Sequence, residues 1–120
     1  MRFETISVIG LGYIGLPTAA VFASKGKKVI GVDINVRAVE TINRGDIHIV
    51  EPELGDVVRE AVQAGFLRAT TQAEAADAFL IAVPTPFIGN HQPDLSYVQA
   101  AALSIAPVLK TGDLVILEST

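Results

Sequence analysis

A glycine cluster near the start of the chain limits the possible folds more than any other feature. It reads Gly10-Leu11-Gly12-Tyr13-Ile14-Gly15, which is the spacing G-x-G-x-x-G. The cluster directly follows the β-branched run 6–9, opens a predicted helix over 14–24, and is followed by Asp33 at the end of the next predicted strand. A glycine cluster alone is a weak signal, but this combination of strand, helix and acid is typical of a dinucleotide site.

The glycines of this cluster have separate physical roles. Gly10 permits a tight turn, Gly12 lets a pyrophosphate approach the backbone, and Gly15 lets the helix pack close to the sheet. The backbone N–H groups of Tyr13 and Ile14 lie at the helix N-terminus, where the helix supplies no acceptor and its dipole favours an anion. These residues are predicted to bind the pyrophosphate of a dinucleotide.

Asp33 is predicted to accept hydrogen bonds from the hydroxyl groups of the adenosine ribose. A 2′-phosphate there would remove those bonds and place like charges together. The predicted cofactor is therefore NAD rather than NADP. Arg37 lies in the next predicted helix and is assigned either to the adenosine side of the cofactor or to solvent.

A second candidate segment, Val83-Pro84-Thr85-Pro86, follows the strand predicted over 78–83. Ligands bind in open α/β sheets at the carboxyl ends of the strands. Thr85 is therefore predicted to lie beside the cofactor, although an ordinary rigid loop explains the prolines equally well. The segment Glu118-Ser119-Thr120 is expected at the same edge, facing the nicotinamide side.

Strand and helix patterns alternate along the whole chain. Strands are predicted over 6–9, 28–33, 66–70, 78–83 and from 114, and helices over 14–24, 35–44, 53–64 and 95–109. The last helix is predicted to begin at a cap by Asp94 and to end or bend at Pro107. A single helical turn is predicted over 72–76 and a long loop over 84–94. Because the strands are continuous apolar runs, we predict a mostly parallel, doubly wound α/β sheet of the Rossmann type, with helices on both faces and strand order 3-2-1-4-5.

Composition excludes several classes of function. The 120 residues suit one domain, half of them are hydrophobic, and the net charge is −4 with no basic block for a nucleic acid. No run reaches the roughly 20 apolar residues of a membrane span, and no signal peptide is evident, so a cytoplasmic protein is expected. The chain contains no Cys for a thiolate nucleophile or a metal knuckle, and no metal site is predicted. The strand at the end of the chain suggests that further polypeptide follows.

The sequence resembles the UDP-glucose/GDP-mannose dehydrogenase family over its whole length. The segments that carry the resemblance are 8–17, 31–35, 42–45, 51–54, 83–86 and 118–120. The resemblance implies a Rossmann domain over residues 1–120 that binds NAD within a longer enzyme. Such enzymes oxidise the C6 alcohol of a nucleotide sugar to a carboxylate, with two hydride transfers to two NAD molecules.

The same resemblance implies parts that this chain lacks. In the family, later domains of the enzyme carry the Cys nucleophile and an assisting Lys. A central helical domain carries the surfaces for sugar binding and dimer formation. A homodimer or higher oligomer is therefore expected for the full-length protein. Thr120 matches a Thr that helps to position the catalytic water. Many relatives have a Lys where this chain has Ala38, so any cation on the adenosine side would have to be Arg37, whose role stays open. Within the family, segments 47–52 and 80–87 most resemble the enzymes that act on UDP-N-acetyl-D-mannosamine. The resemblance therefore implies that sugar, and a product used for the enterobacterial common antigen, a surface polysaccharide.

Three other interpretations remain open at the level of the sequence. The full protein could use UDP-glucose or another nucleotide sugar, or it could be a different dehydrogenase with a similar first half, such as a 3-hydroxyacyl or 6-phosphogluconate type. It could also be a non-catalytic NAD-sensing module. No catalytic role is assigned to the loop residues His48, Glu51, His91 and Asp94, and the four lysines (25, 27, 28 and 110) are expected to be solvated.

Overall fold

The fold is built around one parallel sheet. A computed structural model describes residues 3–90 and 92–118. The sheet strands are β1 (Thr5–Ile9), β2 (Lys28–Val32), β3 (Leu67–Thr70), β4 (Ala78–Ile81) and β7 (Leu114–Leu117). Their order is β3-β2-β1-β4-β7, and all four pairings are parallel. This is the predicted order 3-2-1-4-5. The chain adds β2 and β3 on one side of β1, then returns to add β4 and β7 on the other side.

Helices cover both faces of the sheet, as predicted. They are α1 (Gly15–Ser24), α2 (Val36–Asn43), α3 (Leu54–Gln63) and α4 (Ser96–Ile105), with a short 3-10 helix (Ala106–Val108) after α4. The first three pack against Ile6 and Val8 on one face, whereas Ala101 and Ile105 of α4 pack against Phe79 on the other. The α-helix ends just before Pro107, which removes a backbone donor and favours the tighter turn.

Two predictions about the connecting segments were wrong. Residues 72–76 do not form a helical turn: Glu74 is drawn into a bidentate ion pair with Arg68 of β3, and Ala76 is buried against the sheet. The loop 84–94 contains a small antiparallel hairpin of β5 (Phe87–Ile88) and β6 (Gln92–Pro93). The Gly89-Asn90 pair inside it, with Gly89 at φ +50°, is a hairpin signal that the prolines obscured.

The start of α4 also differs slightly from its prediction. The helix begins at Ser96, and Leu95 occupies the capping position without a side-chain bond. Asp94 lies one residue earlier, yet its carboxylate still accepts a hydrogen bond from the Ser96 N–H at 2.9 Å. Hydrogen bonds from the side chain and from the backbone N–H of Ser96, in that order, lower the pKa of Asp94. Asp94 therefore helps to begin the helix through a local turn rather than as its N-cap.

The side chain of Lys110 is exposed to solvent, as expected, but it also makes bonds within the fold. Its Nζ donates to the Ala76 carbonyl at 2.9 Å and to the Asp113 carboxylate at 2.7 Å, and it lies 3.8 Å from Asp77. Asp77 in turn accepts the N–H groups of Thr5 and Glu4, and these bonds lower the pKa of Asp77. The network ties together the amino-terminal ends of β1, β4 and β7, at the edge opposite the glycine turn.

Strand β7 is apolar but poorly covered. Its four residues are 41–54 % exposed, and within the described residues only β4 pairs with it. An exposed apolar edge strand invites pairing with another strand. Strand β7 is therefore open to pairing along its free edge.

One residue outside the glycines adopts a left-handed conformation. Glu53, at the start of α3, has φ +67° and is the one described non-glycine residue with positive φ. Its side chain is exposed and makes no capping bond. A β-carbon in this conformation approaches the carbonyl oxygen and costs about 1–2 kcal/mol.

The Glu53→Gly variant is therefore expected to be more stable than the Glu51→Gly variant, with a free energy of unfolding about 1 kcal/mol higher. Both replace an exposed Glu in the same loop, so the entropy that glycine adds to the unfolded chain cancels in the comparison. Urea denaturation of the two variants measures the difference. If Glu53→Gly is the less stable of the two, the strain assigned to Glu53 is wrong.

Candidate dinucleotide-binding site

The glycine turn lies between the carboxyl ends of β1, β2 and β4. Gly10 has φ +97°, and its N–H donates to the Val32 carbonyl at 2.8 Å. A β-carbon on Gly10 would lie 2.8 Å from the Ala82 carbonyl oxygen, where no real β-carbon fits. Glycine is therefore required at position 10 for two reasons: the backbone has positive φ, and the segment that follows β4 leaves no room for a side chain.

The other two glycines of the motif differ sharply in their surroundings. A β-carbon on Gly15 would lie 1.7 Å from the Gly10 carbonyl oxygen, so the first turn of α1 rests directly on the turn. A β-carbon on Gly12 would meet no atom of residues 3–90 and 92–118 within 4 Å, and Gly12 does not have positive φ. The protein itself therefore does not need glycine at position 12, and the open space above it is available to a ligand.

The N-terminus of α1 presents free backbone donors. The helix has no side-chain cap and no acidic residue in its first turn. Within residues 3–90 and 92–118, the N–H groups of Tyr13 and Ile14 donate no hydrogen bond. The neighbouring α2 differs, because Asn35 accepts from two of its amides. The α1 terminus has the unpaired donors and the positive dipole end that a pyrophosphate requires.

Asp33 follows β2 and lies at the same turn. Its Oδ2 accepts the N–H of Leu11 at 2.9 Å, and its Oδ1 accepts the N–H of Asn35 at 2.9 Å. A carboxylate offers about four lone-pair positions, so two remain for ligand hydroxyls. The structure thus brings Asp33 to the glycine turn, as predicted, and adds a bond to the turn that the sequence did not indicate.

The remaining predicted site residues are less closely tied to the turn. Arg37 lies in the first turn of α2 with an exposed side chain, for which no partner is present within the described residues. Thr85 is partly buried in the loop after β4, two residues beyond Val83, whose N–H borders Gly10. Thr120 and its neighbour Ser119 lie outside the described residues.

Glu118 was expected from the sequence at the carboxyl edge of the sheet, but no specific role was assigned to its side chain. It follows β7, and its N–H donates to the Ile81 carbonyl at 2.9 Å, which places it at the carboxyl edge of the sheet. Its Oε2 atom is buried and accepts no hydrogen bond in the described part of the chain. A buried acceptor without a donor lowers the stability of the fold. The sequence indicated only the position of Glu118 at this edge, not the burial of its carboxylate.

The fold and the turn together define a dinucleotide-binding Rossmann domain. A parallel sheet that reverses its winding at β1 and β4 forms a crevice at the carboxyl ends of those strands. The open position at Gly12, the free amides of α1 and the acceptor at Asp33 surround this crevice. None of the described helices is long and apolar enough to cross a membrane.

Comparison with known proteins gives the family. The model of the UDP-glucose/GDP-mannose dehydrogenase family, NAD binding domain, matches residues 4–120. The chain is 74 % identical over its full length to a UDP-N-acetyl-D-mannosamine dehydrogenase from Yersinia pestis, of which it covers 29 %. It is 72 % identical, over 98 % of its length, to an NDP-N-acetyl-D-galactosaminuronic acid dehydrogenase from Ralstonia nicotianae, of which it covers 28 %.

The fold matches the same group of enzymes. The structure of a UDP-N-acetyl-mannosamine dehydrogenase from Staphylococcus aureus superimposes with a TM-score of 0.94 and 46 % identity, covering 97 % of this chain and 29 % of that one. The chain belongs to the UDP-glucose/GDP-mannose dehydrogenase family and corresponds to its NAD-binding domain. It spans about 29 % of the length of the curated relatives that it matches.

Proposed function

We propose that residues 1–120 form the NAD-binding domain of an enzyme that oxidises UDP-N-acetyl-D-mannosamine to UDP-N-acetyl-D-mannosaminuronate with two molecules of NAD. The open glycine turn beside Asp33 carries the cofactor part of this proposal. The sugar is supported by relatives of that name that are 72–75 % identical over the whole chain.

The backbone of the glycine turn holds the pyrophosphate in this proposal. The amides of Tyr13 and Ile14 donate to it, and Gly12 leaves room for it because no side chain stands in the open space. Gly10 and Gly15 keep the turn and α1 in contact, so the donors keep a fixed direction. The binding energy depends on donors that are in place before the ligand arrives.

Side chains on both sides of the turn would fix the two halves of the cofactor. Asp33 accepts from the adenosine ribose, and Arg37 lies along the adenosine side. Thr85 offers its hydroxyl and N–H beside the nicotinamide half. Glu118 lies at the same edge, and its buried Oε2 has no donor among the described residues.

The chemistry of the proposed reaction is divided between this domain and the rest of the enzyme. Bound NAD would accept the hydride from the sugar, and this domain orients it and excludes the 2′-phosphate form. The chain has no Cys, so the group that holds the aldehyde until the second hydride transfer must lie elsewhere in the protein. Thr120 has a supporting role near the catalytic water in this proposal.

The identity of the sugar depends on regions outside this domain. Identity to relatives named for N-acetyl-mannosamine and to one named for N-acetyl-galactosaminuronic acid is equally high, at 72 % for the enzymes from Escherichia coli K12 and Ralstonia nicotianae. UDP-glucose or another nucleotide sugar, and a non-catalytic NAD-sensing module, remain the alternatives. We also propose that the full-length protein is cytoplasmic, which cell fractionation would test. We propose that it forms a homodimer or a higher oligomer, which light scattering would test.

Turnover separates these functions. We expect no NADH production from the 120 residues alone with any UDP- or GDP-sugar, because they bind one reactant and lack the nucleophile. The full-length protein is expected to oxidise UDP-N-acetyl-D-mannosamine in preference to the rest of the panel. NADH absorbance measures both. NADH from the purified domain would refute the division of labour, a preference for UDP-glucose would refute the sugar, and no turnover by the full-length protein would favour the sensing module.

A further inference from the structure

We propose that Asp33 is also a positioning residue for the pyrophosphate: its carboxylate holds the glycine turn in the binding conformation before the ligand arrives. The inference rests on the proposed function, since it concerns the same dinucleotide site. It differs from the ribose role in one respect. The ribose role concerns the ligand alone, whereas the positioning role acts through Leu11, which belongs to the turn.

The carboxylate of Asp33 is fixed from several directions. The backbone N–H of Asp33 donates to the Thr70 carbonyl of β3 at 3.1 Å, so the main chain is still held in the sheet at this point. Its Oδ1 accepts from the Asn35 N–H and its Oδ2 from the Leu11 N–H, both at 2.9 Å. Each oxygen has one protein donor, and the carboxyl group therefore has one orientation rather than several.

Leu11 transmits this constraint to the turn. Its side chain is fully buried, and a β-carbon on Gly31 of β2 would lie 2.8 Å from Leu11 Cδ2. The preceding Gly10 is tied to β2 through its N–H to the Val32 carbonyl. A side chain, a backbone bond and the Asp33 carboxylate thus attach residues 10 and 11 to β2. The next residue, Gly12, begins the open segment whose amides face the ligand.

Loss of the carboxylate would therefore have two consequences. The ligand would lose its ribose bonds, and the partly buried Leu11 N–H would lose its acceptor. An amide without an acceptor favours conformations in which it reaches water, and the turn would then sample states that do not bind pyrophosphate. Asn at this position does not repair the defect, because its amide nitrogen is a donor and would face one of the two backbone N–H groups.

The experiment separates the two roles by removing the ribose hydroxyls from the ligand. ADP and 2′,3′-dideoxy-ADP both carry a pyrophosphate, and only ADP offers hydroxyls to Asp33. Binding of both is measured by calorimetry with the full-length protein, with NAD competition to define the site, for the unaltered protein, Asp33→Ala and Asp33→Asn. Asp46→Ala is the matched control, because it removes the same charge and, among the described residues, the Asp46 carboxylate bonds only to the adjacent Ile47 N–H.

We expect Asp33→Ala and Asp33→Asn to weaken ADP binding by about 10–100-fold and 2′,3′-dideoxy-ADP binding by about 3–10-fold, with no change for Asp46→Ala. Faster amide exchange of the segment 10–13 in both ligand-free Asp33 variants is expected as well. If either folded variant binds 2′,3′-dideoxy-ADP as tightly as the unaltered protein while ADP binding falls, Asp33 acts on the ribose alone and the inference fails, with the proposed function intact. If the unaltered protein binds neither ADP nor NAD, the proposed function fails and the inference fails with it.

Discussion

Replacing Gly12 with valine is expected to abolish NAD binding, by about 100-fold or more in affinity, while the fold stays intact. A β-carbon at position 12 meets none of the described protein atoms within 4 Å, and the residue does not have positive φ, so the protein tolerates a side chain there. The valine would occupy the space through which the pyrophosphate approaches the backbone. Calorimetric titration with NAD measures the affinity, and circular dichroism measures the fold.

The combination of the two measurements makes this prediction specific. Loss of affinity with a native spectrum and an unchanged melting temperature is the expected result. Retained affinity would mean that the dinucleotide binds elsewhere. A variant that unfolds would contradict the open space assigned to position 12.

The largest effect on stability is expected from Gly15→Ala. The added methyl group would lie 1.7 Å from the Gly10 carbonyl oxygen and 2.8 Å from its carbon, both of them backbone atoms that have little freedom to move. Overpacking of a well-packed region costs about 1–3 kcal/mol, and a backbone collision this close should reach or exceed the upper value. Urea denaturation measures the loss in the free energy of unfolding.

Gly12→Ala is the matched control for Gly15→Ala. It adds the same methyl group to the same motif in open space, so its stability should remain within about 0.5 kcal/mol of the unaltered chain. Equal stability of the two alanine variants would contradict the contact between α1 and the turn. The pair therefore assigns one glycine to the fold and the other to the ligand.

Most of the fold could be predicted because its signals are local. Each sheet strand is a short apolar run, each helix has an apolar face or a clear end signal, and the handedness of crossovers leaves few possible strand orders. The glycine motif was informative for the same reason. Gly10, Gly12 and Gly15 are close in sequence and act at one turn: Gly10 and Gly15 are required by its geometry, and Gly12 leaves space for the ligand.

The features that the sequence did not predict depend on residues far apart in the chain. Asp33 meets Leu11 across 22 positions, and no local pattern indicates that the carboxylate accepts from the turn. Segment 72–76 has helix-forming residues, but the ion pair of Glu74 with Arg68 and the burial of Ala76 override that preference. In both cases tertiary contacts determine the local structure, because they outweigh the intrinsic secondary-structure propensity of the residues.

The most direct test of the central claim is a titration of this domain with NAD and with NADP under the same conditions. The claim is that the glycine turn and Asp33 form an NAD site, with the Asp33 carboxylate selecting a free 2′-hydroxyl. We predict that NAD binds and that NADP binds at least about 10-fold more weakly, since the phosphate removes a charge-assisted hydrogen bond and adds a like charge. Equal or tighter binding of NADP, or no binding of either dinucleotide, would contradict the account.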